Sequence, residues 1–172
     1  MKTTETFIRA RHQSPVGTLH LILDGEALVA LDYEGYEPRM MRLLARRFPS
    51  ATLQDGPVPK ALAKALDAYF AGDTAALDAI PLKLGGTEFQ RTVWAALRTI
   101  PWGDTQSYGS LAKAIGKPSA SRAVGLANGS NPVAIVVPCH RVIGADRKLT
   151  GYAGGLERKR FLLRHEGVAV AG

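Results

Sequence analysis

Along the first third of the chain, apolar and polar positions alternate with the period of two that a half-buried strand requires. Phe7-Ile8-Arg9-Ala10 is followed by the turn Ser14-Pro15-Val16-Gly17 and by Leu19-His20-Leu21-Ile22-Leu23. Asp24-Gly25 marks a hairpin turn ahead of Ala27-Leu28-Val29-Ala30-Leu31. The period then changes. Met40, Met41, Leu43, Leu44 and Phe48 form one helical face, and Leu62, Ala65, Leu66, Tyr69 and Phe70 a second, which Gly72 stops. The expectation is a small antiparallel sheet with one or two helices. His12 and His20 lack partners at metal-ligand spacing and read as structural.

Pro81 and the pair Gly85-Gly86 interrupt this pattern. They divide the chain into a structural α/β lobe, residues 1–84, and a mostly helical lobe, residues 85–172, for an α+β fold overall. Thr87-Glu88-Phe89-Gln90 has the form of a capping box, opening a helix that runs through Phe89, Val93, Trp94 and Leu97 and ends before Pro101. Trp94 reads as core; Trp102 sits in a Pro-Trp-Gly turn without an assigned role. Two short helices follow, Tyr108–Ile115 with Ser107 as cap and Ala120–Asn128 with Ser119 as cap and Gly129 as stop. The turn Gly116-Lys117-Pro118-Ser119 between them has helix-turn-helix form. The second helix is built largely of Ala120, Ala123, Gly125 and Ala127, which suits close approach either to a nucleic-acid groove or to another helix. Gly151-Tyr152-Ala153-Gly154-Gly155 reads as a flexible loop, and a last helix spans 156–165, turning Leu162 and Leu163 inward.

Charge changes this picture. The net charge is +7, and none of it belongs to the first half. Residues 1–85 hold ten Lys and Arg against ten Asp and Glu; residues 86–172 hold twelve against five. Basic charge confined to one lobe is the electrostatic footprint of a polyanion partner, since each phosphate neutralised releases counterions. No apolar run is long enough to span a bilayer, and Met1-Lys2-Thr3-Thr4-Glu5-Thr6 carries no secretory signal. A cytoplasmic, nucleoid-accessible protein without membrane contact is expected.

The reactive chemistry centres on residues 138–141, Pro-Cys-His-Arg. Cys139 is the only cysteine, so it forms neither an intrachain disulfide nor a multi-thiolate metal site. A free thiol titrates near 8.5, and only its thiolate is a strong nucleophile. His140 can take the proton, provided an acceptor orients its other nitrogen. Glu166, at a helix end, is the candidate for that acceptor. Successive side chains on a strand point to opposite faces, so either the chain turns at Cys139 or a water relays the proton.

Ser130-Asn131-Pro132-Val133-Ala134-Ile135-Val136-Val137-Pro138-Cys139-His140-Arg141-Val142-Ile143-Gly144 resembles the active-site signature of the O6-alkylguanine-DNA alkyltransferases, the methylated-DNA–protein-cysteine methyltransferases. The resemblance extends in order through Gly86-Thr87-Glu88-Phe89-Gln90, Ser107-Tyr108-Gly109, Ser121-Arg122-Ala123-Val124-Gly125, Gly151-Tyr152-Ala153-Gly154-Gly155 and Leu162-Leu163-Arg164-His165-Glu166-Gly167. It covers essentially all of the second half, and the first half more loosely.

The resemblance implies a suicide repair protein that flips an alkylated guanine, or an O4-alkylated thymine, out of duplex DNA and moves the alkyl group to Cys139. His140 would deprotonate Cys139 through a water, with Glu166 holding His140. Asn131 would tie the recognition helix to the cysteine loop. Tyr108 would donate toward guanine N3 and also meet DNA. Arg122 would fill the gap left by the flipped base. Ser121, Ala123, Gly125 and Ala127 would line the DNA surface, in the minor groove. Tyr152, Ala153, Gly154, Val142 and Ala134 would form the substrate pocket. The implied protein is a monomer needing no cofactor or metal, with cooperative binding along DNA left open. Three departures stand out. Ala153 replaces a serine of some relatives and Ala134 a proline, and the cysteines with which some relatives bind zinc in the first lobe are absent.

Three other readings are weighed against this one. A damage-recognition module without catalysis is expected to lack the cysteine. A cysteine hydrolase requires a recyclable thioester and an oxyanion hole, and it would turn over. A methylation-triggered transcription factor needs a second acceptor cysteine, which the composition excludes.

Overall fold

The computed structural model describes residues 4–146 and 149–170. The chain divides into two compact units, Met1–Gly86 with Pro132–Val136, and Thr87–Asn131 with Val137–Gly172.

In the first unit, β1 (Glu5–Ser14), β2 (Gly17–Asp24) and β3 (Ala27–Tyr33) form the antiparallel meander that the alternation predicts. Gly17 at φ 100° and Gly25 at φ 58° make the two turns, in a region that side chains with a Cβ rarely enter. A fourth strand, β4 (Ala51–Asp55), was not expected. It pairs parallel to β1, giving the order β3-β2-β1-β4. The parallel sense follows from connectivity: α1 (Glu37–Arg47) carries the chain from β3 across the sheet to its far edge. Helix α1 lays Met40, Leu43 and Leu44 inward, and Met40 and Leu44 join Phe7, Ile22, Val29 and Ala30 in a common core. Helix α2 (Lys60–Phe70) buries Leu62, Leu66 and Tyr69. The outer edge of β3 is covered rather than left open to pairing. Leu28 bridges Leu82, and Leu31 bridges Val133 from the returning segment Pro132–Val136. His12 and His20 pair with Asp67 and Glu37 respectively, in keeping with structural roles.

The second unit is mainly helical. Helix α3 (Glu88–Leu97) has both bonds of its capping box: the Gln90 N–H donates to Thr87 Oγ1 at 3.1 Å, and the Thr87 N–H to Gln90 Oε1 at 3.0 Å. Trp94 is fully buried, and its indole N–H donates to the Ala127 carbonyl at 2.9 Å. A two-residue strand, β5 (Gln106–Ser107), leads into α4 (Tyr108–Ala114), capped by Ser107 through the Ser110 N–H. Helix α5 spans Ser121–Gly129. Here the expected ends shift. The Ala120 N–H bonds the Lys117 carbonyl at 2.9 Å, so a turn occupies 117–120 and Ala120 becomes the N-cap in place of Ser119. Gly129 stays in the last helical turn rather than stopping it. A second short strand, β6 (Val142–Ile143), pairs parallel with β5, and α6 (Leu156–His165) closes the unit. Among the described residues, no helix is long and apolar enough to cross a membrane.

Candidate active site

The chain turns at the cysteine. The Cys139 N–H bonds the Val137 carbonyl at 2.8 Å, around Pro138 at φ −82°, ψ 65°. This is an inverse γ-turn, and proline presets its φ. Cys139, His140 and Arg141 then form a single 3-10 turn, whose three residues per turn fan the side chains apart instead of alternating them. Asn131 holds the geometry: its Nδ2 donates to the same Val137 carbonyl at 2.8 Å, from a fully buried position. Just upstream, in the first unit, Ile135 sits at φ 71° and the Val136 N–H reaches the Ala134 carbonyl at 2.8 Å. A β-branched residue in that strained turn costs of order 1–3 kcal/mol.

The two residues that follow the cysteine in this turn enter a buried ionic network. His140 Nε2 is 2.8 Å from Glu166 Oε2, and neither side chain reaches solvent. Arg141 donates from Nε to Glu166 Oε1 at 2.7 Å and from Nη2 to Oε2 at 3.0 Å, with Nη1 on the Ile100 carbonyl at 2.6 Å. The bidentate guanidinium favours the ionised carboxylate. An ionised Glu166 accepts only, so His140 carries its proton on Nε2 and turns a bare lone pair outward on Nδ1. Nδ1 is buried and has no hydrogen-bond partner in the structure. Burial holds the imidazole below its usual value; the Glu166 bond opposes this, and the charges of Arg141 and Lys159 reinforce it. The result is a neutral base at neutral pH, oriented by Glu166.

Cys139 itself is 6% exposed. It lines a cavity of about 320 Å³ with Tyr108, Gly125, Asn128, Gly129, Gly151, Tyr152 and Ala153, at the low end of small-ligand pockets and suited to one planar ring system. Tyr108 Oη lies 3.1 Å from Thr150 Oγ1. A slightly larger cavity in the first unit, about 350 Å³, is walled mainly by alanines of α2 and the segment after it. Its lining holds no thiol or hydroxyl, so chemistry rather than volume selects the site. Cys139, Tyr108, Tyr152 and Ala153 therefore come together as expected, with His140 and Glu166 behind them. Gly154 is buried and Val142 lies in β6, and neither lines the cavity; Ala134 lies in the segment belonging to the first unit. On α5, Ser121, Arg122 and Ala123 are exposed. Gly125 faces the cavity, where a Cβ added to it would meet Tyr108 at 3.8 Å. Ala127 does not share the exposed face: it is 3% exposed and packs inward beside Trp94. Leu126 is instead the most exposed large apolar side chain among the described residues, at 71%.

Two residues of the site were not anticipated. Arg141 turns inward at 9% exposure to pin Glu166. Lys159 is fully buried, with Nζ 2.6 Å from the Val142 carbonyl and 3.4 Å from that of Thr150. The sequence did carry a signal for Lys159. Positions 159, 162, 163 and 166 follow the i, i+3, i+4, i+7 spacing of one helical face, and all four are buried. The neighbours Arg158 and Arg160 disguised it as part of a solvated basic run.

What such an arrangement can do is present a thiolate to a carbon electrophile held in the cavity, which defines the class as a cysteine that accepts a transferred group. The family follows from comparison. Residues 6–84 match the 6-O-methylguanine DNA methyltransferase ribonuclease-like domain, and residues 88–168 match the DNA-binding domain of the same family. The chain belongs to this family of DNA-repair methyltransferases. It is 49% identical over 157 residues to the methylated-DNA–protein-cysteine methyltransferase of Shigella flexneri, covering 90% of this chain and 92% of that protein. It is 50% identical over 156 residues to the enzyme of the same name from Mycobacterium bovis, covering 89% and 88%. The crystal structure of Mycobacterium tuberculosis OGT in complex with DNA superposes with a TM-score of 0.77 at 46% identity, covering 92% of each chain. The O6-methylguanine-DNA methyltransferase of the hyperthermophilic archaeon Pyrococcus kodakaraensis gives the same TM-score at 27% identity, covering 93% of this chain and 99% of that one.

Proposed function

We propose that the protein repairs duplex DNA by moving the alkyl group of an O6-alkylguanine irreversibly onto Cys139. O4-alkylthymine is a second substrate of the same chemistry. The observation that carries this reading is the lone thiol of Cys139, lining a base-sized cavity and adjacent in the same 3-10 turn to the neutral, Glu166-oriented imidazole of His140.

The steps follow from the residues. The His140 Nδ1 lone pair takes the thiol proton through a bridging water, and the resulting imidazolium is held by Glu166. Sulfur attacks the alkyl carbon in line, the S–C bond forms, and the C–O6 bond breaks with its electron pair left on guanine. Tyr108 offers its O–H toward N3 of the departing base, lowering the charge that develops there. A thioether has no comparable leaving path, so each molecule acts once. Asn131 keeps the cysteine turn in register with α5, and Tyr152 and Ala153 wall the pocket. With alanine at 153, contact to the guanine oxygen falls to the backbone N–H.

DNA approaches through the helix-turn-helix of α4 and α5. Arg122, exposed on α5, enters the stack where the flipped base had been and offsets part of the few kcal/mol that extrusion costs. Ser121, Ala123 and Gly125 leave the helix slim enough for the minor groove, and Leu126 meets its sugar wall. The catalytic and DNA-binding functions reside in 85–172, with 1–84 as structural support. The protein works as a monomer on DNA in the cytoplasm. To test the DNA step, Arg122→Ala is compared on a damaged duplex and on the free base O6-benzylguanine. A loss on the duplex at least tenfold greater than on the free base supports base flipping by Arg122; equal losses contradict it.

A further inference from the structure

Helix α5 turns one side toward the cysteine cavity. Gly125, Asn128 and Gly129 follow the i, i+3, i+4 spacing of a single helical side, and all three line the cavity. The two glycines have no side chain, so the amide of Asn128 is the one functional group that α5 offers there. Asn128 is 7% exposed, and its Oδ1 is buried with no hydrogen-bond donor among the described residues. Native proteins rarely leave a buried amide oxygen unmet. The side chain does not cap the helix either: the Asn131 N–H takes the Asn128 backbone carbonyl, at 3.3 Å. Its polar neighbours are already engaged, Asn131 through Nδ2 on the Val137 carbonyl and Tyr108 through Oη on Thr150.

We propose that Asn128 reads the flipped base: its Oδ1 accepts a hydrogen bond from the exocyclic amine of guanine, so that the cavity prefers O6-alkylguanine to O4-alkylthymine. The proposal rests on the alkyl-transfer reading of Cys139 and specifies the substrate of that site. The chemistry of the two bases selects the contact. Alkylation at O6 fixes guanine in the form whose N1 carries a lone pair; N3 and N7 also accept, and N9 holds the sugar. The N2 amine is then the only donor on the base. O4-alkylthymine has a lone pair at N3 and an acceptor at O2, and no N–H to give. The terminal torsion of an asparagine is soft and close to two-fold, so Oδ1 turns to meet the amine without movement of α5. With thymine in the cavity the oxygen stays unmet, and that base gains nothing from it.

O6-methylhypoxanthine is O6-methylguanine without the N2 amine, and it isolates this contact. Single-turnover methyl transfer is measured from two duplexes that differ only in that base, with the wild type and with Asn128→Leu. Leucine keeps the approximate size and branching of asparagine and removes the acceptor. The two bases differ in how strongly they pair before extrusion, but that difference is common to both proteins and cancels when their rate ratios are compared. The preference for O6-methylguanine over the analogue should be about tenfold larger in the wild type than in the variant, the effect of one buried acceptor left unmet. Equal preferences in the two proteins overturn the proposal, because another acceptor then reads the amine. Asn128→Ala takes the place of the leucine variant if circular dichroism shows that the latter does not fold. Equal preferences with Cys139 methylated from both duplexes sink the Asn128 contact alone. A wild type that gains no methyl from either duplex sinks the Cys139 reading and the contact with it.

Discussion

Removing the charge of Glu166 while keeping its shape separates orientation from packing. In Glu166→Gln, Arg141 loses its anionic partner at 9% exposure. Breaking a buried ion pair costs about 3–5 kcal/mol. The lower end applies, because Arg141 Nη1 keeps the Ile100 carbonyl at 2.6 Å and the amide oxygen still accepts one bond. A domain of this size has roughly 5–15 kcal/mol to lose, so the variant should fold with a reduced urea midpoint. The chemical effect is larger. An amide NH₂ donates to Nε2 as readily as its oxygen accepts from it, so the imidazole proton is free to move to Nδ1, where it blocks uptake of the thiol proton. General-base help is worth about 10²–10⁴ in rate. Single-turnover transfer from a duplex containing one O6-methylguanine should therefore fall at least a hundredfold at pH 7. At about pH 9.5, above the ordinary thiol value near 8.5, the thiolate forms without a base, and most of that deficit should vanish. Near-normal transfer at pH 7, or an equal deficit at both pH values, would refute the oriented-base account.

Further expectations concern pH, the capping box and DNA contact. The His140 pKa is depressed on folding. Below the unfolded value near 6.5, the unfolded chain takes up a proton that the folded one refuses, so this site's stability is complete above about pH 6.5 and declines as the pH falls; urea midpoints that rise on acidification to pH 5.5 in wild type but not in His140→Gln would be the wrong sign. Tyr108→Phe should slow transfer about tenfold while leaving the dissociation constant for DNA within twofold, as measured by anisotropy. Thr87→Ala removes one side of an observed capping box and should cost about 1 kcal/mol in urea unfolding; no loss would mean the helix start is held otherwise. Leu126→Ala should weaken DNA binding without changing the slope of log affinity against log salt, whereas Arg122→Ala should lower that slope by about one.

The meander, both helices of the first unit and every helix of the second were legible because each declares itself locally, through alternation, an apolar face or a cap. Strand β4 was not. It is five residues long, three of its side chains are exposed, and its partner β1 lies more than forty residues away, so no local period marks it. At the site, the Cys139, His140 and Glu166 association was legible from chemistry, and the turn that resolves it was foreshadowed by Pro138. Arg141 and Lys159 were missed for one reason: basic side chains default to solvent, and only the burial of their neighbours reveals that they point inward. Ala127 was assigned to the exposed face because small residues look alike on any side of a helix. The Trp94 indole on its carbonyl decides the matter.

The most direct measurement is an intact mass after incubation with a duplex carrying a single O6-methylguanine, followed by mapping of the modified peptide. The account predicts one added methyl per molecule, on Cys139, with the increment saturating at one equivalent however much damaged DNA is supplied. Binding to that duplex with no mass change, or methyl release with repeated turnover, would contradict it.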